Sequence, residues 1–247
     1  MRLLLLTVSP VLVIAGGFGM CPVVPRDSCV QPVESLMDTK GIPMSTREYW
    51  MRQVQSVLHA AYHPRVCPQY PFAAVLVNHT AGDGDLGDPI CTGKNQALQT
   101  GNAMLHGEIS AMMNCSTLLQ DPHGRFRLSP DEARIAMSRL TLYSNAESCP
   151  MCAAAMRWAG IRDYVYGTSI ETLINAGWQQ IDIASAEIWA RSTALDGLDG
   201  GGSEAPIGPV LAHETDPYFT WHKCISSGTV VLQGAASGDL SSPAEAC

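Results

Sequence analysis

The architecture we expect follows from two short segments, Leu105-His106-Gly107-Glu108-Ile109 and Glu147-Ser148-Cys149-Pro150-Met151-Cys152. Each stands at the start of a predicted helix. Imidazole nitrogen and thiolate sulfur are the ligands that zinc prefers in proteins. Cys149 and Cys152 are three positions apart, so in a first helical turn their side chains lie on one face. The sequence therefore predicts a zinc site built from His106, Cys149 and Cys152.

Glu108 lies two positions beyond His106 and can reach the same pocket without ligating the metal. Three protein ligands leave the fourth tetrahedral position open for water, as in catalytic sites. Zinc lowers the pKa of such a water to about 7 and makes a hydroxide available at neutral pH. A carboxylate beside it can take up the proton and pass it to a substrate. We therefore expect Glu108 to be the catalytic proton shuttle.

This pattern resembles the zinc-dependent cytidine deaminase superfamily, whose signature is H-x-E followed by P-C-x-x-C. The Cys-Pro-Met-Cys form is similar to the guanine deaminase and tRNA adenosine deaminase branch, and the resemblance extends from Tyr49 to Ile170. It implies a three-layer α/β/α sandwich around one mixed sheet, with the metal ligands and catalytic glutamate named above. The implied reaction is hydrolytic removal of an exocyclic amine from a small nucleobase or nucleoside, with release of ammonia.

The resemblance also implies which residues touch the substrate. Asn95 matches an asparagine that precedes the zinc helix, and the backbone N–H of Gly107 would face the base. Tyr218, Phe219 and Trp221 are the aromatic residues expected to close the pocket, with Trp221 as the substrate contact. By contrast, we expect three tryptophans on helical or turn segments to belong to the core: Trp158, Trp178 and Trp189.

Two departures from the family pattern are visible. Ser148 stands where the signature has proline, and we expect this to be tolerated because serine is a helix-capping residue. The long segment between Glu108 and Cys149 includes an extra predicted helix, opened by the capping sequence Ser129-Pro130-Asp131-Glu132. An insertion near the zinc helices can reshape the pocket. The sequence therefore does not identify which ring is deaminated.

The remaining elements are predicted from patterning. A second capping box, Ser45 to Glu48, opens an amphipathic helix over residues 46–63. The apolar run over 71–78 is typical of a strand buried on both faces, and residues 89–92 form its returning strand. Strands and helices alternate along the chain, which indicates an α/β layered sandwich with helices on both faces of one sheet.

The N-terminus predicts export. Residues 1–20 have the layout of a cleavable secretory signal, with Arg2, an apolar core and small residues at the end. The alternative is an apolar N-terminal strand. We further expect an extended lead-in over 21–43, a zinc deaminase-like domain over 44–224 and a loose tail over 225–247.

Cysteines and glycosylation triplets agree with a secreted, extracellular protein. The chain has nine cysteines, several of which could pair in an oxidising compartment. Cys21 with Cys29 is one possible short loop, and the odd total leaves at least one cysteine outside any intrachain bridge. The triplets Asn78-His79-Thr80 and Asn114-Cys115-Ser116 are N-glycosylation sequons.

Composition restricts the partners. A chain of 247 residues with 46% hydrophobic residues suits one globular domain plus tails. Its net charge of -8 disfavours nucleic acid as the main partner, since such proteins usually carry a basic patch. No apolar run reaches the roughly 18–20 residues that cross a bilayer. We expect a small-molecule substrate and no membrane, and the resemblance implies a homodimer or larger assembly.

Three other interpretations stay open. A Cys-x-x-Cys pair in an exported protein can be a disulfide or a thioredoxin-like redox motif, although that leaves His106 and Glu108 unexplained. The fold could also serve as a secreted binding or effector module without deaminase activity. A tRNA adenosine deaminase-like enzyme is the third, but an acidic exported chain fits poorly with a polyanionic substrate inside cells.

Overall fold

Four strands form one mixed sheet in a computed structural model that describes residues 41–61, 69–80, 86–200, 202 and 205–220. The strands are β1 Ala73–Asn78, β2 Asp88–Lys94, β3 Thr141–Ala146 and β4 Asp163–Thr168. Their order across the sheet is β2-β1-β3-β4. β1 is antiparallel to both β2 and β3, whereas β3 and β4 are parallel. The predicted strand over 71–78 and its antiparallel return over 89–92 are confirmed.

Helices flank this sheet along the whole described chain. They are α1 Met44–Ala61, α2 Ala97–Thr100, α3 Gly107–Gln120, α4 Pro130–Met137, α5 Pro150–Trp158, α6 Ile170–Asn175, α7 Ser185–Arg191 and α8 Ala212–Thr215, with 3-10 turns at Thr193–Leu195 and Leu198–Gly200. None of the helices in these described ranges combines the length and apolar character needed to span a membrane.

Alternate residues of β1 face two separate apolar clusters. Ala74 and Leu76 pack with apolar residues of α3, α4, α5 and α7. Val75 and Val77 point the other way and pack with apolar residues of α1. Because successive strand residues face opposite sides, a strand covered by helices on both faces reads as a continuous apolar run. The expected three-layer α/β/α sandwich is confirmed.

The zinc helix α3 lies against the edge strand β2 at very short range. A Cβ at Gly93 would collide with the backbone of Ala111, so only glycine permits this approach. Next to it, a disulfide joins Cys91 of β2 to Cys115 of α3, with a Cα–Cα distance of 5.2 Å. Both cysteines are buried. The middle of α3 is therefore held against the sheet.

Two local predictions are wrong. α1 begins at Met44, and the carbonyl of Pro43 accepts the N–H groups of Thr46 and Arg47, so Ser45 lies inside the helix and does not cap it. Trp158 is 69% exposed at the end of α5 and not part of the core. Trp189 is buried, as expected.

Candidate zinc and active site

Two helix starts bring the predicted metal ligands together. His106 is the N-cap of α3 and Cys149 is the N-cap of α5, both with extended backbone, and neither side chain caps its own helix. Their side chains are therefore available to each other and to Cys152 in the first turn of α5. One ligand atom from each residue lies within 4.8 Å of the other two. Cys149 lies three residues beyond the carboxyl end of β3, where strand ends commonly supply functional side chains.

The distances fit a tetrahedral zinc ion. Sγ of Cys149 and Nδ1 of His106 are 3.6 Å apart. Zinc bonds of about 2.3 Å to sulfur and 2.0–2.1 Å to nitrogen, at a tetrahedral angle, separate the two atoms by about 3.6 Å. In the described part of the chain, the metal-ligating cluster consists of these two residues and Cys152. It would leave one tetrahedral position for water or substrate.

The electrostatics of the two thiols favour a thiolate at Cys149. Its pKa is lowered to about 4, because the Cys152 thiol donates a hydrogen bond to it and His106 adds a second, against the opposing effect of burial. The pKa of Cys152 is raised well above its ordinary value, because it hydrogen bonds to Cys149 and is buried. The pKa of His106 is raised by its hydrogen bond to Cys149. The cysteine pair thus already contains one thiolate in the absence of metal. Only Cys152 has to lose a proton for both sulfurs to bind a divalent cation.

Glu108 lies beside this cluster as a buried carboxyl group. Its side chain is 6% exposed, and burial raises its pKa, while a hydrogen bond from Ser148 acts in the opposite direction. Oγ of Ser148 lies 2.7 Å from Oε1 of Glu108. A raised pKa makes this carboxyl group a better proton acceptor than an ordinary glutamate, and once protonated it can return the proton.

A cavity of about 240 Å³ connects these groups. Its polar lining includes His106, Glu108, Cys149 and Asn95, and its aromatic wall consists of Tyr70, Phe72 and Trp178; Ala97, Ala103, Glu147, Gln179 and Gln180 complete it. Grooves of about 590 and 360 Å³ lie on other faces of α3, and neither is lined by any of the three metal-ligating residues. The cavity of about 240 Å³ is therefore the candidate active site.

Asn95 is held in a defined orientation at the cavity wall. It is 4% exposed. Its Oδ1 accepts the N–H of Ala97 at 3.0 Å, and its own N–H donates to the carbonyl of Phe72 at 2.8 Å. With Oδ1 engaged in this turn, the NH₂ group of the amide is the donor that Asn95 could offer to a ligand. Asn95 lines the cavity, and its contact with a substrate stays a prediction.

The other predicted substrate contacts have different outcomes. Gly107 is the first residue of α3 and lies so close to β1 that a Cβ would be 3.0 Å from Cα of Ala73, but it does not line the cavity. The contact between its N–H and a base stays a prediction. Trp221 lies outside the described residues. Tyr218 and Phe219 are buried in the core and do not line the cavity.

Sequence reasoning missed the aromatic wall. Trp178, predicted as core, lines the cavity. Its ring meets Phe72 with centroids 5.3 Å apart, and its indole N–H donates to the carbonyl of Phe219 at 2.7 Å. The ring of Phe219 in turn packs on Phe72, with centroids 5.0 Å apart. No local motif marks these residues, because the fold brings them together from distant parts of the chain.

The loop that carries Cys149 is clamped by Glu147. Its Oε2 accepts the N–H of Ile170 at 2.9 Å, and its Oε1 accepts the N–H and hydroxyl of Ser185 at 2.8 and 2.7 Å. The carboxylate is buried. It therefore ties the loop between β3 and α5 to the starts of α6 and α7, and sequence analysis had assigned it no role.

Comparison with known families agrees with this geometry. The model of the cytidine and deoxycytidylate deaminase zinc-binding region matches residues 44–168, half of the chain. The chain belongs to this family. The family resemblance and the zinc cofactor expected from the sequence are thereby confirmed, and the His-Cys-Cys cluster lies within the matched region.

Individual relatives are more distant. A probable cytosine deaminase of Schizosaccharomyces pombe is 26% identical over 106 residues, which cover 43% of this chain and 52% of that protein. The chain thus spans about half the length of this curated relative. The guanine deaminase of Nitrosomonas europaea is similar in structure, with a TM-score of 0.50, 18% identity, and coverage of 72% of this chain and 84% of that one. A mutant protein crystallised with 8-azaguanine gives a TM-score of 0.52 at 18% identity, covering 72% and 85%. These likenesses concern the fold.

Proposed function

We propose that this protein is a secreted zinc-dependent hydrolytic deaminase, which removes an exocyclic amine from a small nucleobase or nucleoside and releases ammonia. The observation that carries the proposal is the cluster of His106, Cys149 and Cys152 beside a cavity of about 240 Å³, which His106, Cys149 and the buried Glu108 line. A purely structural zinc site more often has four protein ligands. The proton-transferring carboxylate beside an incomplete ligand set supports hydrolysis.

The residues have separate roles in this proposal. Zinc at the trio supplies a Lewis acid that acidifies water. Glu108 takes one proton of the attacking water at its carboxylate and passes it to a ring nitrogen. It then takes the second proton of the same oxygen and gives it to the departing amine, which leaves as ammonia. The NH₂ group of Asn95 orients the ring, and Phe72 and Trp178 provide an apolar wall against which a planar heterocycle stacks.

The substrate class follows from size, charge and relatives. A cavity of about 240 Å³ suits a single base or nucleoside better than a nucleic-acid strand, and the net charge of -8 opposes binding of a polyanion. The named relatives are a probable cytosine deaminase and a guanine deaminase. We therefore place aminated pyrimidine and purine bases first among substrates.

Export and self-association are part of the proposal. The buried disulfide between Cys91 and Cys115 supports an oxidising compartment, because such bonds are rare in reducing ones. The signal-like residues 1–20 lie outside the described residues. A homodimer is proposed from the family resemblance, and sedimentation of the zinc-loaded protein measures it.

The deciding experiment measures ammonia release by the zinc-loaded protein across aminated purines, pyrimidines and their nucleosides. Glu108→Ala is expected to keep its zinc and lose about 10²–10⁴-fold in kcat, the usual contribution of general acid–base catalysis. Glu171→Ala, which alters an exposed glutamate of α6, is the matched control and should leave the rate unchanged.

The outcomes separate the alternatives. An unchanged rate in Glu108→Ala would exclude the proton shuttle. A zinc-loaded wild-type protein that is silent on the whole panel favours a deaminase-fold binding or effector protein. A tRNA substrate is included beside the panel, and release of ammonia from tRNA alone would favour the tRNA-type enzyme.

A further inference from the structure

Ser148 is hydrogen bonded to Glu108, the glutamate of the family signature, and to Tyr164, which the signature does not include. Its Oγ lies 2.7 Å from Oε1 of Glu108 and 2.8 Å from Oη of Tyr164. Its backbone N–H donates to the same Tyr164 oxygen at 2.6 Å. Ser148 is 1% exposed and Tyr164 also 1% exposed, so solvent does not compete for these bonds.

The directions of these hydrogen bonds follow from counting protons. The hydroxyl of Ser148 carries one hydrogen, and the carboxylate of Glu108 can only accept when ionised. Ser148 therefore donates to Glu108, and the phenol of Tyr164 donates to Oγ of Ser148. Burial raises the pKa of Tyr164 well above its ordinary value, which keeps the phenol protonated. The carbonyl of Ala146, 3.3 Å from the phenol, is the weaker acceptor.

The frame around this chain of hydrogen bonds is rigid. The Glu147 carboxylate fixes the loop on one side of Ser148 through Ile170 and Ser185. The Tyr164 ring stacks on Trp189, with centroids 5.6 Å apart and an interplanar angle of 20°. Serine and phenol oxygens therefore have little freedom to leave Oε1 of Glu108.

Proline at position 148 could not make these contacts. The signature of the superfamily has proline before the first cysteine, and proline has neither an N–H nor a hydroxyl. This chain has serine there, and it also has a buried tyrosine whose phenol oxygen meets both groups that serine adds. The two residues form one hydrogen-bonded unit.

We propose that Ser148, supported by Tyr164, is a positioning residue for Glu108. It holds Oε1 of the carboxylate, so that the second oxygen carries the proton transfers. This inference rests on the proposed function for its catalytic consequence, but the hydrogen-bonded contact itself is testable without a substrate.

The first test is a double-mutant cycle of thermal unfolding on the zinc-loaded protein, with Ser148→Ala and Glu108→Ala. We expect the two changes to be non-additive, because each removes the same bond. Ser148→Ala should lower Tm by about 2–4 °C in the wild type, the shift for 1 kcal/mol in a domain of this size, and by less in the Glu108→Ala background. Additive shifts would overturn the contact.

The second test is kinetic and uses whichever base the ammonia panel identifies. Ser148→Ala should lower kcat at least about tenfold, because a displaced catalytic group loses rate, with KM within about twofold and unchanged zinc content. Ser148→Thr, which keeps the hydroxyl, should restore kcat. Ser144→Ala is the matched control, because Ser144 is equally buried and bonds to the carbonyl of Ala73.

Specific results would overturn the proposal. An unchanged kcat in Ser148→Ala, or a loss that Ser148→Thr does not restore, means that Ser148 does not position Glu108. Tyr164→Phe keeps the test open where Ser148→Ala fails to fold, and it should lower kcat without affecting KM. A zinc-loaded protein that releases no ammonia from any substrate would disprove the proposed function. The double-mutant unfolding cycle would still show whether Ser148 and Glu108 interact.

Discussion

His79 illustrates how a single buried side chain couples stability to pH. It follows β1, and its Nε2 lies 2.9 Å from the phenol oxygen of Tyr143. Its pKa is lowered to about 4, chiefly by burial and further by the nearby charges of Arg162 and Arg47, which outweigh Asp163. The folded protein therefore holds this histidine neutral at pH values at which the unfolded chain protonates it.

We expect stability to fall as the pH is lowered from about 6.5 towards 4. Above pH 6.5 both states are neutral at His79, and between the two values only the unfolded state gains the proton, which favours unfolding. His79→Gln, a neutral replacement that keeps the sequon, should flatten this part of the Tm-against-pH curve. Thermal melts from pH 4 to 8 measure it. Replacing the exposed His123 by Gln should leave the curve unchanged.

Individual site residues differ in how far sequence can predict them. The three metal-ligating residues and Glu108 are predictable, because they lie at short, characteristic spacings within two helix starts. Phe72 and Trp178 are not, because only the folded sheet makes them neighbours. The partnership of Ser148 with Tyr164 was also invisible, since it joins the start of one helix to a neighbouring strand.

Helix starts show the same contrast within one chain. Ser129 forms a complete capping box with Glu132 at the start of α4, as its sequence predicts. Ser45 and Glu48 have the same spacing, yet the helix begins earlier, because the carbonyl of Pro43 takes the first N–H groups. A capping pattern shows that a box can form, and the residues before it decide whether it does.

This contrast gives a matched pair of variants. Ser129→Ala should cost about 1 kcal/mol, because it leaves a helix N–H without its partner. Ser45→Ala should be neutral or slightly stabilising, since Ser45 is an exposed helical residue and alanine is the better helix former. Urea unfolding of both variants measures the difference. Equal losses would mean that Ser45 caps α1 after all.

The disulfide between β2 and α3 should contribute more to the free energy of unfolding than the Ser129 cap does. It closes a separation of 24 residues, and removing such a bond typically costs about 2–5 kcal/mol. The double variant Cys91→Ala with Cys115→Ala should therefore unfold at clearly lower urea concentration while retaining zinc. When both proteins are unfolded in the presence of a thiol reductant, the difference should shrink to the cost of the lost sulfur atoms.

Across the whole molecule, the metal site joins two helices that pack on the same face of the sheet. His106 starts α3, and the two cysteines start α5, so one ion would tie together helices from separate parts of the chain. The fold class was predictable, because the alternation of strands and helices is a property of the entire sequence. The shape of the cavity was not, because it depends on loops whose paths the packing decides.

Removing the metal should destabilise the protein as a whole. Because zinc binds the folded cluster, its loss subtracts binding free energy from stability. EDTA is expected to lower Tm, and added zinc should restore it. His106→Ala serves as the control, since its melting temperature should already be low and respond little to EDTA. If EDTA leaves the wild-type Tm unchanged, the ion does not contribute to the stability of the fold.

The Cys91–Cys115 bond has a further consequence for how the protein is made. One chain must keep two sulfurs oxidised while two others, Cys149 and Cys152, stay free. A thiolate as accessible and acidic as that of Cys149 is also the sulfur most easily captured by an oxidant. Zinc bound to Cys149 and Cys152 would block their oxidation, so we expect the site to persist only where the metal binds before an oxidant reaches these two sulfurs.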